Sequence, residues 1–410
     1  MTETPESLRP GFLLSWVNKL DPIRKTIVPI NARAAMGLAE RTTGLADWGD
    51  DDGVFSRLED AIAGLNEVDL STAGRFGANY VLHWHLSNKL RIVDALKRHP
   101  EIEDVKVERP LVITGFFRTG TTYLHAILAA DPKNRVGRAW ELMYPVGRPT
   151  RALDDDPWRR RRATYTLALN HSWMPDQEVA HHVVPDSFEE CLFLLQNELA
   201  SVTIFAAFGT FSYAWRTLDW NMVPPYESHR RQLQAMTDAD AHANGEARWS
   251  LKCPWHLWHL DALLTVYPNA RIIHTHRNVA TALGSQASLT ARMASKTQRS
   301  LDLKEVGNFW LDYSRAGIDR GMRVRESLPS TQVYDVRLGD LLERPLEVLQ
   351  GLYSHFELPF DDELAQRFLS RIAEQPTAQL GEHDYDIADF GLEEGRVREV
   401  FSDYHERFGV

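Results

Sequence analysis

The chain has 410 residues, 43% of them hydrophobic and 25% charged, with a formal net charge of −11. That is the composition of an ordinary globular protein long enough to bury a large core, and its acidic balance argues against general nucleic-acid binding, which needs a net basic footprint. Two cysteines, Cys191 and Cys253, are too few for a disulfide framework or a metal cluster and fit a reducing compartment.

The first twenty residues begin acidic and lack the charged opening and cleavage site of a signal peptide. No run approaches the ~18 apolar residues that would suggest a membrane-spanning helix. The most apolar candidate, Val202 to Phe211, is short and holds Gly209. The expectation is a cytoplasmic protein without a transmembrane segment. From about Pro10 to His99, strand alternation is missing, and the stretches Leu58–Val68 and Phe76–His99 carry apolar residues three and four apart. Residues 1–105 therefore read as a helical extension packed on a core formed by 106–410. His83 and His85, two apart on a helix, point to different faces and read as partly buried rather than metal-binding.

After Pro110 comes LVITGFFRTGTTYLHAILAAD, Leu111 to Asp131. An apolar strand runs into a loop holding Gly115 and Gly120, then into helical spacing. This is the arrangement in which backbone N–H groups and a helix N-terminus surround a phosphate-like anion. The glycine spacing is that of a nucleotide-triphosphate loop, but Thr121 stands where such loops carry lysine, and the only cation is Arg118. The alternative is a plain glycine turn between strand and helix.

Arg138 to Pro145 reads as a second strand end with an active-site loop. Arg159 to Arg162, after Asp154 to Asp156, reads as a solvated basic helix face. A helical insertion spans about 150–247. Within it, Glu189 and Glu190 open an apolar helix behind the caps Asp186 and Ser187, and His181 and His182 just precede them. Acidic residues in a first turn usually complement the helix dipole, with a catalytic carboxylate as the alternative. Phe205, Phe208, Phe211, Tyr213, Trp215, Trp220 and Tyr226 follow, suiting either an acceptor-pocket wall or ordinary core.

The chain then alternates strand and helix: RWSLK, LWHLDALLTVYP, ARIIHTH, a helix from Val279, TQVYDVR and RPLEVLQGLYSHFEL. This rhythm predicts an α/β protein of three layers, its mostly parallel central sheet flanked by helices. Ligands of such sheets bind beyond the carboxyl ends of the strands, where Arg118, Lys252 and Arg277 fall. His274 and His276, two apart on a strand, face one side and read as core or supporting residues, since no third metal ligand is evident.

RPLVITGFFRTGTTYLH resembles the 5′-phosphosulfate loop of sulfotransferases that use 3′-phosphoadenosine 5′-phosphosulfate, with Phe117 in place of the proline of P-[KR]-[ST]-G-T-[ST]. Arg277 with Ser285 eight residues on resembles the family's 3′-phosphate grip. Lys252-Cys253-Pro254-Trp255-His256 resembles its lysine and histidine, with the histidine two positions further on than in the best-known cytosolic members. The likeness is greatest to the bacterial-type branch. It covers roughly residues 105–290, and the segment around Gly381 to Tyr385 gives no firm match.

The resemblance implies a P-loop-type fold, the sulfonate donor as co-substrate and no metal. Arg118, Thr119, Gly120, Thr121 and Thr122 would hold the 5′ group, and Arg277 and Ser285 the 3′-phosphate. Lys252 would neutralise the leaving oxygen. His256 is the first choice of base for the acceptor, with Glu190 as runner-up, because an imidazole titrates near neutrality. The implied acceptor is a hydroxyl, or an amine, of a hydrophobic small molecule. Homo-oligomerisation is left open. A P-loop kinase or NTPase is the rival enzyme, although the loop lysine is missing and Asp335 is a poor magnesium ligand. The third reading is an inactive nucleotide-binding protein. A dinucleotide oxidoreductase is disfavoured, because the loop is not G-x-G-x-x-G.

Overall fold

The structure is a computed structural model that describes residues 12–50, 53–149, 153, 155–173, 183–238, 247–374 and 386–410. Five strands form one sheet: β1 (Leu111–Gly115), β2 (Asn134–Arg135), β3 (Arg248–Lys252), β4 (Arg271–His276) and β5 (Val333–Arg337). Their order is β2-β3-β1-β4-β5, and every neighbouring pair is parallel.

β1 is central and buried along its whole length. Its side chains alternate between two layers: Val112 joins one apolar core, and Leu111 and Ile113 join the other. Ile272 and Ile273 of β4 divide in the same way. A continuous apolar run is what a parallel strand covered on both faces requires. β5, at the sheet edge, is only half-buried.

All regular elements described before β1 are helical. The longest, Thr72–Arg98, is tied to the insertion through Glu198. This fully buried carboxylate accepts from Lys89 Nζ at 2.9 Å, Arg57 Nη2 at 3.3 Å and Ser228 Oγ at 2.5 Å. The aromatic run of the insertion is largely core. Phe205 and Tyr213 are fully enclosed, and Phe205 packs against Trp255, Phe309, Trp310 and Tyr313. Trp215 is the more exposed member.

Three local expectations are corrected. Ala139–Met143 is a helix rather than a strand end: Glu141 folds back to accept from the Arg138 N–H at 2.7 Å, while the second strand is the short Asn134–Arg135. The apolar helix of the insertion begins at Leu192, leaving Glu189 and Glu190 in the preceding loop, and Asp186 binds Arg160 rather than capping it. Arg159 is buried, donating to the carbonyls of Tyr144 and Pro145, with its guanidinium 4.7 Å from the Trp140 ring centre. A planar cation can be buried when its N–H groups and its face are both satisfied. His181 and His182 lie outside the described residues.

Candidate active site

The site is built where β1, β3 and β4 end. Gly115 closes β1 so near to β4 that a Cβ on it would stand 2.5 Å from the Thr275 carbonyl oxygen. Thr119 then anchors the loop from inside, its Oγ1 donating to the Phe116 carbonyl at 2.6 Å and lying 2.6 Å from Thr275 Oγ1. Its hydroxyl is thus committed to the scaffold. Arg118, at φ 66°, and Gly120, at φ 86°, both adopt left-handed backbone. That conformation strains a residue with a Cβ and is held only where its surroundings fix it. The helix Thr121–Leu128 follows, its first bond running from Leu124 N–H to Gly120 O. The N–H groups of its opening residues therefore have no acceptor within the helix and point out of its start, the position that suits an anion.

Two sets of side chains meet at this loop. In the first, Arg118 Nε donates to Ser285 Oγ at 3.1 Å, and Arg277 Nη1 donates to the Arg118 carbonyl at 3.1 Å. Arg277 leaves β4, and Ser285 lies two turns into the helix Val279–Thr297, so their separation of eight places both beside the loop. In the second, Lys252 ends β3, paired in register with Ile113. Its Nζ donates to Glu190 Oε1 at 2.7 Å and to Thr122 Oγ1 at 3.2 Å. The Lys252 side chain is 0% exposed, whereas Glu190 keeps 24%. Burial alone would lower the lysine pKa, but Glu190 and Glu189 more than offset it, and the net shift is upward. The ammonium is therefore firmly charged.

His256 lies elsewhere. It sits on the 3₁₀ turn Pro254–His259, 0% exposed, with Nδ1 2.8 Å from Tyr226 Oη and Nε2 3.1 Å from Cys191 Sγ. Burial, reinforced by His229 and His259, holds its pKa well below the usual imidazole value. Its neighbour Cys191 in turn donates its N–H to the Lys252 carbonyl at 3.2 Å. The chain Tyr226–His256–Cys191 thus backs the loop that carries Glu190 and the strand end that carries Lys252. In the sequence Cys191 stands only as one of two thiols. Its position directly after Glu190 was the available signal, but the tyrosine, 30 residues from the histidine, carried none.

His274 and His276 do share a face, ring centres 4.2 Å apart, and Asp335 from β5 joins them. Its carboxylate is taken by His276 Nε2 at 2.7 Å and by both terminal nitrogens of Arg325. Asp335 is thus a third potential ligand beside the two histidines that the sequence did not make evident, and in the structure its carboxylate is ion-paired with Arg325. The segment Gly381 to Tyr385 lies outside the described residues.

Comparison with known proteins agrees with this fold. Residues 110–362 match the model described as the sulfotransferase family. Two curated relatives, the omega-hydroxy-beta-dihydromenaquinone-9 sulfotransferases Stf3 of Mycobacterium bovis and Mycobacterium tuberculosis, are each 27% identical over 266 residues. The match spans 62% of this chain and 64% of each relative's length. The crystal structure of sulfotransferase STF1 from Mycobacterium tuberculosis superposes with a TM-score of 0.79 at 31% identity, covering 92% of this chain and 99% of that one. That of STF9 from Mycobacterium avium gives 0.80 at 26%, covering 93% and 97%. With the parallel sheet, the altered glycine loop and the cations at three strand ends all in place, the chain belongs to the sulfotransferase family.

Proposed function

We propose that the protein moves the sulfuryl group of 3′-phosphoadenosine 5′-phosphosulfate to a hydroxyl, or an amine, of a hydrophobic small molecule. The observation that carries this reading is the meeting of Arg118, Arg277 and Ser285 at the glycine loop, with Lys252 and Glu190 joined to it at Thr122. A donor with two separate anionic groups needs two such cationic grips, and each charge-assisted bond adds geometric selectivity.

Arg118 and the N–H groups of Thr119 to Thr122 hold the 5′-phosphosulfate in this scheme, and Arg277 with Ser285 holds the 3′-phosphate. Lys252 neutralises the phosphate oxygen as its bond to sulfur breaks, and the acceptor oxygen bonds to sulfur from the opposite side. Glu190 takes the acceptor's proton. It is favoured over His256 because its carboxylate is partly accessible and touches Lys252, whereas the imidazole is enclosed with both nitrogens engaged. Positioning and charge stabilisation are the main contributions a protein makes to such in-line transfers. The relatives named for a hydroxylated menaquinone derivative point to a lipid-like acceptor carrying a hydroxyl.

Thermal-shift titration tests the reading. Adenosine 3′,5′-bisphosphate is expected to stabilise the protein in a saturable way, and radiolabelled sulfonate donor to transfer label into a lipid extract. Absence of that stabilisation, or magnesium-dependent ATP turnover, would overturn the proposal.

A further inference from the structure

The N-terminal segment is amphipathic in the reverse of the usual sense. Three of its polar residues, Asn18, Asp21 and Arg24, face the protein. Asn18 Oδ1 accepts from the Ala73 N–H at 3.0 Å, Asp21 Oδ1 accepts from the N–H and hydroxyl of Thr72 at 2.7 and 2.8 Å, and Arg24 Nε donates to the Leu70 carbonyl at 3.0 Å. The apolar residues point outward. Trp16, Leu20, Ile23 and Ile27, spaced by four, three and four, are among the most exposed large hydrophobic residues of the protein, at 60%, 43%, 54% and 44%. Surface helices of globular proteins place that stripe inward, so an outward stripe marks something else to be covered.

The charges around it are one-sided. Between residues 15 and 41 the exposed charged side chains are Lys19, Lys25, Arg33 and Arg41. The acids of this stretch are withdrawn: Asp21 is bound to Thr72 and lies 3.3 Å from Arg299, and Glu40 accepts from Trp48 Nε1 at 3.0 Å. Asp69, alongside, is paired by Arg24 and Arg299. An exposed apolar, tryptophan-bearing stripe with exposed lysines beside it in sequence stands out on a chain of net charge −11.

We infer that this segment is a docking surface for an anionic lipid bilayer. Tryptophan and aliphatic side chains enter the headgroup boundary, and neighbouring lysines and arginines meet anionic headgroups. The charge pattern favours a bilayer over a second copy of the chain, because a symmetric pairing would bring the exposed cations of one copy toward those of the other. The inferred attachment is peripheral, and no helix among the described residues is long and apolar enough to span a membrane. The inference stands apart from the proposed chemistry, although a lipid-like acceptor would be reached from such a surface.

Co-sedimentation of the full chain with vesicles of phosphatidylcholine, with and without phosphatidylglycerol, tests it. Binding is expected to the phosphatidylglycerol vesicles and to weaken as salt is raised. The pair Trp16→Ser with Ile23→Ser is expected to weaken it at least ~10-fold, and so is Lys19→Glu with Lys25→Glu. Leu342→Ser with Leu369→Ser, exposed apolar residues elsewhere, is expected to change nothing. All variants should keep the wild-type melting temperature and the same stabilisation by adenosine 3′,5′-bisphosphate, which separates docking from donor binding. Absence of vesicle binding, equal binding by the Trp16/Ile23 variant, or a wild-type dimer lost in that variant would overturn the inference.

Discussion

The ammonium of Lys252 and the carboxylate of Glu190 form an ion pair in which one partner is wholly enclosed and the other reaches solvent. The enclosed cation keeps its position and charge, and the partly open anion can meet an incoming group. Removing the lysine is expected to lower turnover ~10²–10³-fold, the usual cost of losing one preorganised donor at a developing negative charge. Affinity for adenosine 3′,5′-bisphosphate should change far less. Steady-state kinetics and a binding titration on Lys252→Ala distinguish the two.

Glu190→Gln and His256→Asn should fail in different ways. The glutamine keeps the shape and a bond to Lys252 but accepts a proton poorly, so turnover is expected to fall ~10²-fold or more at near-normal melting temperature. The histidine variant loses a buried contact to Tyr226 or Cys191. It should be destabilised by about 1–3 kcal/mol, the penalty of a buried polar group left unpartnered, with its folded fraction retaining most turnover. A normal melting temperature with abolished turnover in His256→Asn would restore the imidazole as the base.

Arg277→Ala and Ser285→Ala should weaken binding of adenosine 3′,5′-bisphosphate about 10–100-fold, as expected for lost hydrogen bonds to a charged group worth about 1.5–3 kcal/mol. Binding of adenosine 5′-monophosphate, which lacks the 3′ group, should not weaken. Calorimetric titration of both nucleotides reads this directly. Equal weakening of both would place the two residues at the 5′ end instead.

Buried imidazoles should make the fold acid-sensitive. Burial holds the pKa of His85 near about 4 and those of His125, His229 and His259 near about 3, against an ordinary 6.5. The unfolded chain therefore binds protons that the fold refuses. Their stabilising contribution is complete above pH 6.5 and is lost as pH falls, by about 1.4 kcal/mol per pH unit for each ring. Melting temperature measured from pH 8 to 5 is expected to be level at first and to drop steeply below about 6.5. A level profile down to pH 5 would contradict the burial of these rings.

Glu198→Ala leaves Lys89 and Arg57 buried beside an empty space. Breaking a buried pair on one side costs about 3–5 kcal/mol, enough to be plain in a urea titration. Glu198→Gln should recover part of the loss through its retained hydrogen bonds.

The parallel sheet was legible because its strands are short apolar runs separated by helical spacing, and both properties are local. The loop and its three cations were legible for the same reason, since each lies directly at a strand end. The short elements of the insertion were not. The helix Ala139–Met143 depends on Glu141 returning to its own backbone, and Arg159 is buried because Trp140 and two carbonyls await it. His256 shows where chemistry and surroundings part: an imidazole near a lysine suggests a base, while the fold encloses it with both nitrogens engaged. No spacing rule announces that Cys191 and Tyr226, 65 and 30 residues away, converge on it.

Arg118 is held at two points, its carbonyl by Arg277 and its side chain by Ser285. The residue expected at one end of the donor is therefore already clasped by those expected at the other. An arriving nucleotide would exchange these internal bonds for its own, so its measured affinity is a net quantity, reduced by what the protein gives up. With the proposed donor bound, the same clasp would make the two ends answer to each other: engaging the 3′ end would release the guanidinium for the 5′ end. A nucleotide fragment carrying only one of the two groups would release half the clasp and bind more weakly than its own contacts suggest.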